Sequence, residues 1–83
     1  LLDRMGRVDE GLRDMAKAAA IAVDDPVVQN AYGYTLAYRT RRTDEAYARI
    51  RVAIEQAPDS AAIQDSMGWV LYRMGRVDEA RHW

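Results

Sequence analysis

The chain has 83 residues, one small domain at most, and a formal net charge of −1. Nearly half of it is hydrophobic and 30% is charged, a balance that offers no electrostatic case for wrapping nucleic acid or hugging an anionic membrane. The absence of cysteine excludes disulfides and thiol chemistry, and no apolar run approaches the length of a membrane span.

No signal peptide is visible, and the chain opens on Leu1-Leu2 without an initiator Met. It reads as an excerpt of a longer array. Residues 1–5 are expected to be the last turn of a helix, with Gly6 and Arg7 turning the chain, because Gly permits the left-handed backbone that ends helices. Asp9 and Glu10 then suit the first turn of a helix over about 8–23, where acidic groups meet the positive end of the dipole. Leu12, Met15, Ala16, Ala19 and Ala20 recur there at three- and four-residue steps, the spacing of one helical face. Asp24-Asp25-Pro26 breaks it, since Pro fits a first helical position and not an interior one.

A helix over about 26–39 follows, with Val28, Ala31, Tyr32, Thr35 and Leu36 on one side. Thr40-Arg41-Arg42-Thr43 makes the next turn. Asp44-Glu45 opens a helix to about Ala57 that carries Ala46, Ile50, Ala53, Ile54 and Ala57. Pro58-Asp59-Ser60 closes it, and Ser60 or Asp59 caps a helix through Arg73 with Ile63, Met67, Val70 and Leu71. Gly75 ends that helix, and Val77 to Trp83 begins another. No stretch reads as a strand.

The turns repeat. Met5-Gly6-Arg7-Val8-Asp9-Glu10 and Met74-Gly75-Arg76-Val77-Asp78-Glu79 are identical, and Leu36 to Ala46 is a blurred copy of Leu71 to Ala80 with one residue more in its turn. The Asp-Glu pair falls at 9, 44 and 78, steps of thirty-five and thirty-four residues. A unit of that period with two helices is a solenoid repeat.

With these residues the chain resembles the tetratricopeptide repeat along its whole length. Gly33 and Gly68 match the family's small residue in the first helix. Ala46 and Ala80 (Gly11 in the first copy), then Ala18 and Ala53, match its small residues in the second. Met15 and Ile50 match the large apolar position between them, and Pro58 the closing Pro, for which Val23 stands in the first copy. Small residues belong where two helices of a hairpin cross. The resemblance implies an all-α fold of antiparallel helix-turn-helix repeats stacked as a right-handed superhelix. It divides the chain into a partial repeat at 1–25, a complete one at 26–60 and a partial one at 61–83. Asn30 to Ala37 and Asp65 to Tyr72 further resemble the C-terminal repeats of bacterial envelope members of the family. Some of those are outer-membrane lipoproteins that act as adaptors for a periplasmic protease.

The family's geometry implies that the first helix of each repeat lines a concave groove. On this chain the groove residues are Val27, Asn30, Tyr34, Ala37 and Tyr38, then Ala62, Asp65, Trp69, Tyr72 and Arg73. Rings with a polar edge desolvate area at low entropy cost, and Asn30 can donate and accept at once, which suits a peptide backbone. The implied partner is a protein or peptide, with no nucleic acid, no membrane insertion by this segment and no cofactor. The competing reading is that Tyr34 and Trp69 pack between repeats, making a structural module whose uncapped ends self-associate into homo-oligomers. The groove lacks the basic residues that would clamp a terminal carboxylate. Arg39, Arg41, Arg42, Arg49 and Arg51 form the densest basic cluster, either a solvated face or a site for an acidic partner.

An enzyme is not expected. His82 stands alone at one end, and Ser66 and Asp65 are helical neighbours that point apart. Asp9-Glu10 and Asp24-Asp25 are accounted for as helix termini, no Gly-rich phosphate loop exists, and no cluster has metal-ligand spacing.

Overall fold

The computed structural model describes residues 2–83, with the side chains of residue 7 and residues 9–83. These form five helices: α1 (Leu2–Ile21), α2 (Pro26–Arg39), α3 (Thr43–Gln56), α4 (Ala61–Arg73) and α5 (Val77–Arg81). Each packs on its neighbour in sequence, and α2 also meets α4, so the helices stack as a repeat array in which two reversals set α4 parallel to α2. No described helix is long and apolar enough to cross a membrane.

The helix ends follow from local chemistry. Asp25 caps α2, its carboxylate accepting from the Val27 amide at 3.0 Å while Pro26 takes the first turn. Thr40 stops the same helix by going extended, its hydroxyl donating to the Leu36 carbonyl at 2.6 Å. Ser60 caps α4 through the Ile63 amide. Gly75, at φ +80°, ends α4 in a left-handed turn in which the Arg76 amide bonds back to the Leu71 carbonyl at 2.9 Å.

The expected turn at Gly6 and Arg7 is absent: α1 runs unbroken from Leu2 through Ile21. The reversal at Gly75 is worth making because α4 lies ready for the chain to fold back on. At Gly6 the helical backbone is kept, although a glycine in a helix interior costs about 1 kcal/mol relative to alanine. Leu1 lies outside the described residues, as do the side chains of the expected N-terminal end-face over 1–5.

The core is one stripe of Leu, Ile, Met, Val and Ala running from Leu12 and Ala19 of α1 to Val70 and Leu71 of α4. Ala46, Ile50 and Ala53 of α3 are fully buried against α2. A Cβ built on Gly33 would sit 2.7 Å from Ile50 Cγ1 and 3.1 Å from the Ala46 carbonyl oxygen, so this crossing tolerates no side chain. At Gly68 the nearest atoms, Trp83 Cβ and the Ala80 carbonyl oxygen, stand off at 3.5 and 3.6 Å.

Three face assignments change. Ala20 and Ala31 are exposed, because the α1–α2 contact rotates them off the shared seam. Ala37, expected in the groove, is fully buried. Gln29, unremarkable in sequence, is 1% exposed, and its amide nitrogen donates to the carbonyls of Ala19 (2.9 Å) and Ala22 (3.3 Å), satisfying the end of α1.

Candidate functional site

Residues spaced by three and four turn one stripe of α2 away from α3. Val27, Tyr34 and Tyr38 fall within a narrow arc of the helix and are 71%, 43% and 53% exposed. The equivalent arc of α4 carries Ala62, Asp65, Trp69, Tyr72 and Arg73. Tyr72 is 60% exposed, Asp65 and Arg73 are also open, and Trp69 is half-buried. Buried on the other side of α2 are Tyr32, Gly33 and Leu36, which meet the core. The fold thus brings two parallel helical stripes side by side. Of the expected groove residues, Ala37 alone is closed off.

The aromatic side chains on the stripes are paired. Tyr34 stacks on Tyr38 with ring centroids 5.9 Å apart and planes at 10°. Trp69 stacks on Tyr72 at 6.1 Å and 21°. Each pair is a one-turn pair on its own helix, so the rings stiffen one another and leave their outer faces open. Asn30 is half-buried beside the first pair, its Oδ1 enclosed without a hydrogen-bond partner, and Trp69 Nε1 is likewise enclosed and unpartnered.

Beside the second pair lies an open cavity of about 720 Å³ between α4 and α5, bounded by Asp65, Trp69, Tyr72, Val77, Arg81 and Trp83. Sequence reasoning did not single out Val77, Arg81 and Trp83. Their one signal was position: they follow the Gly75 reversal and are carried back along the small face of α4.

The basic cluster is not one patch. Arg42 donates to Glu45 Oε1 from Nε (3.1 Å) and Nη2 (2.7 Å). Arg51 lies 3.5 Å from Glu55, and Arg49 lies over the Tyr32 ring at 5.4 Å. Arg39 instead lies over the Tyr38 ring at 5.0 Å, and Arg41 is exposed in the turn. The α2–α3 hairpin is locked by Tyr32, whose hydroxyl donates to Glu45 Oε2 at 2.8 Å. Hydrogen bonds from Arg42, then Tyr32, hold the Glu45 carboxyl below its usual range; burial and Glu45 push the Tyr32 phenol up. The third repeat copies the pair as Arg76–Glu79, with Arg76 over Tyr47 at 5.1 Å. Arg-x-x-Glu at 7/10, 42/45 and 76/79 was the sequence signal for this lock.

No catalytic arrangement comes together from the residues weighed for one. Ser66 is buried and donates to the Ala62 carbonyl at 3.1 Å, while His82 sits edge-on against Trp83.

Over 71 residues the chain is 42% identical to a TPR repeat-containing protein of Pseudomonas aeruginosa. The match covers 86% of this chain and 12% of the relative's length. No protein-family model matches the chain, and no solved structure matches it.

Proposed function

The chain carries tetratricopeptide repeats, and from that premise we propose that it is a protein-interaction module whose α2–α4 stripe holds a segment of a partner protein. The observation that carries this reading is the pair of stacked aromatic couples, Tyr34–Tyr38 and Trp69–Tyr72, on the open side of two parallel helices. The rings of Tyr34, Tyr38 and Tyr72 are open to solvent, so a bound chain gains area there without disturbing the fold, while Trp69 packs partly against the core. Burying one such side chain contributes about 1.5–3 kcal/mol, and aromatic anchors of this kind dominate interface energetics. Val27, Asn30, Asp65 and Arg73 border the rings and set which sequences fit.

Photo-crosslinking in cells tests the reading. A light-activated phenylalanine analogue at Tyr72 is expected to form a discrete protein adduct, and the same analogue at Val52, exposed on α3, is not. Adducts from Val52 and none from Tyr72 would move the interaction surface to the outer helices.

A second reading rests on the cavity between α4 and α5, whose apolar wall of Trp69, Val77 and Trp83 could take a helix from another copy. Light scattering across concentration decides it: mass rising with concentration supports stacking between chains, and a constant monomer mass removes it.

A further inference from the structure

The aromatic stripes have a charged rim, and its charge is unspent. Two of the five arginines at the turn end of the repeats, Arg42 and Arg76, are neutralised by Glu45 and Glu79 of their own turns. Arg39, Arg41 and Arg73 are exposed and make no ion pair among the described residues. Arg73 belongs to the α4 stripe, and Arg39 is drawn to the edge of the α2 stripe by lying over the Tyr38 ring at 5.0 Å. A helix C-terminus favours a cation, which accounts for an arginine on the last turns of α2 and α4. It does not account for Arg41 in the turn, nor for a guanidinium held on the partner-facing ring.

The acidic groups near this rim do not cancel it. Asp44 and Asp78 open α3 and α5, helices that pack at Gly33 and Gly68, away from the stripe of α2, and Asp78 already faces Arg81 at 3.9 Å. Asp9 of α1 shares a pocket with Tyr32 and the already paired Arg42, and Glu55 of α3 pairs with Arg51. Asp24, Asp25 and Asp59 lie at the opposite end of both helices, with Asp65 on the first half of α4. The face is therefore basic and aromatic at the C-terminal ends of α2 and α4 and acidic at their N-terminal ends, on a chain of net charge −1.

We infer that the segment held on this face is an acidic peptide with apolar anchors: large apolar side chains on the Tyr34–Tyr38 and Trp69–Tyr72 couples, and internal carboxylates against Arg39, Arg41 and Arg73. The inference rests on the interaction-face reading above and names the chemistry of its partner. The carboxylates set orientation and encounter rate, and the aromatic couples set residence time. Because the rim is exposed, its contribution is screened by salt.

The test uses three twelve-residue probes, acetylated and amidated so that no terminal charge contributes. All carry leucines at the same positions, separated by glutamates, lysines or serines. Titrated into the whole chain and followed by NMR, the glutamate probe is expected to shift the Trp69 indole and the neighbouring amides of α2 and α4. Its apparent Kd should weaken at least tenfold in R39E/R41E/R73E, which in turn should prefer the lysine probe. Raising salt should weaken the glutamate probe and leave the serine probe unchanged. The three arginines are exposed, so circular dichroism and melting should be those of the parent. Equal binding of the lysine and glutamate probes, indifference to the triple reversal, or no shift with the glutamate probe at millimolar concentration would overturn the inference. A Tyr72 crosslink that persists in any of those cases leaves the interaction face standing; loss of both removes the face as well.

Discussion

The two hairpins of this chain use the same small residue at very different clearances. At the α2–α3 crossing, Gly33 lies so close to Ile50 and the Ala46 carbonyl that a single methyl has nowhere to go. At the α4–α5 crossing, Gly68 has ordinary van der Waals room before it meets Trp83 and Ala80. The difference lies in the partner helix. α3 spans fourteen residues and offers two fully buried alanines, Ala46 and Ala53, with Ile50 wedged between them. Facing Gly68, α5 offers Ala80, half-buried, with the Trp83 Cβ beside it. A glycine at a helix crossing is thus a permission for close approach, and how far it is used depends on which residues the second helix sets against it. An open cavity lies beside Trp69 at the looser crossing.

The sharpest way to break this comparison is one substitution at each crossing. Gly33→Ala should destabilise by about 1–3 kcal/mol, the range for forcing a methyl into a packed site, lowering Tm by roughly 4 °C or more. Tyr32→Phe should cost about 1 kcal/mol, because it deletes the hydroxyl that ties α2 to Glu45. Gly68→Ala should go the other way, gaining up to about 1 kcal/mol of helix propensity with no clash to offset it. Equal losses at Gly33 and Gly68 in thermal melts would mean that the two crossings are alike after all. Smallest of all is Arg51→Ala, since an exposed, solvent-screened pair such as Arg51–Glu55 should leave the melt unchanged.

The tight hairpin also carries the pH dependence. Glu45 is held below its usual range when folded, so its contribution is complete above the unfolded carboxylate value and is lost as pH falls through the lower, folded one. Stability measured in denaturant between pH 6 and pH 3 should drop less steeply for Glu45→Gln than for the parent. An identical slope for the two would take Glu45 out of the lock.

Much of this arrangement is legible in the residues. α2, α3 and α4 fall within a residue or two of where their spacing puts them, Ser60 caps where a cap is wanted, and Gly75 stops α4. What escapes is whatever depends on a partner helix. The hexapeptide from Met to Glu occurs twice without a change, yet its glycine is an interior helical residue at Gly6 and a left-handed stop at Gly75. Local sequence permits both, since glycine takes the helical and the left-handed backbone alike. Gln29 escaped for a related reason: a glutamine on a helix reads as solvent-facing until the open carbonyls of α1 are seen beside it. Ala37 repeats the lesson at the site, since alanine is equally at home in a groove or a seam and the approach of other helices closes it. The aromatic stripe itself was readable as candidates. Its stacking, and the separation of free from paired arginines, needed the three-dimensional neighbours.

The central claim is that the stripe's outer rings serve a partner and not the fold. Calorimetric melting of the whole chain carrying Tyr38→Ala and Tyr72→Ala tests it most directly. A Tm within roughly 3 °C of the parent is the predicted result, because surface changes away from packed features move stability little. A fall of roughly 8 °C or more would show both tyrosines holding the repeats together, and would contradict the account.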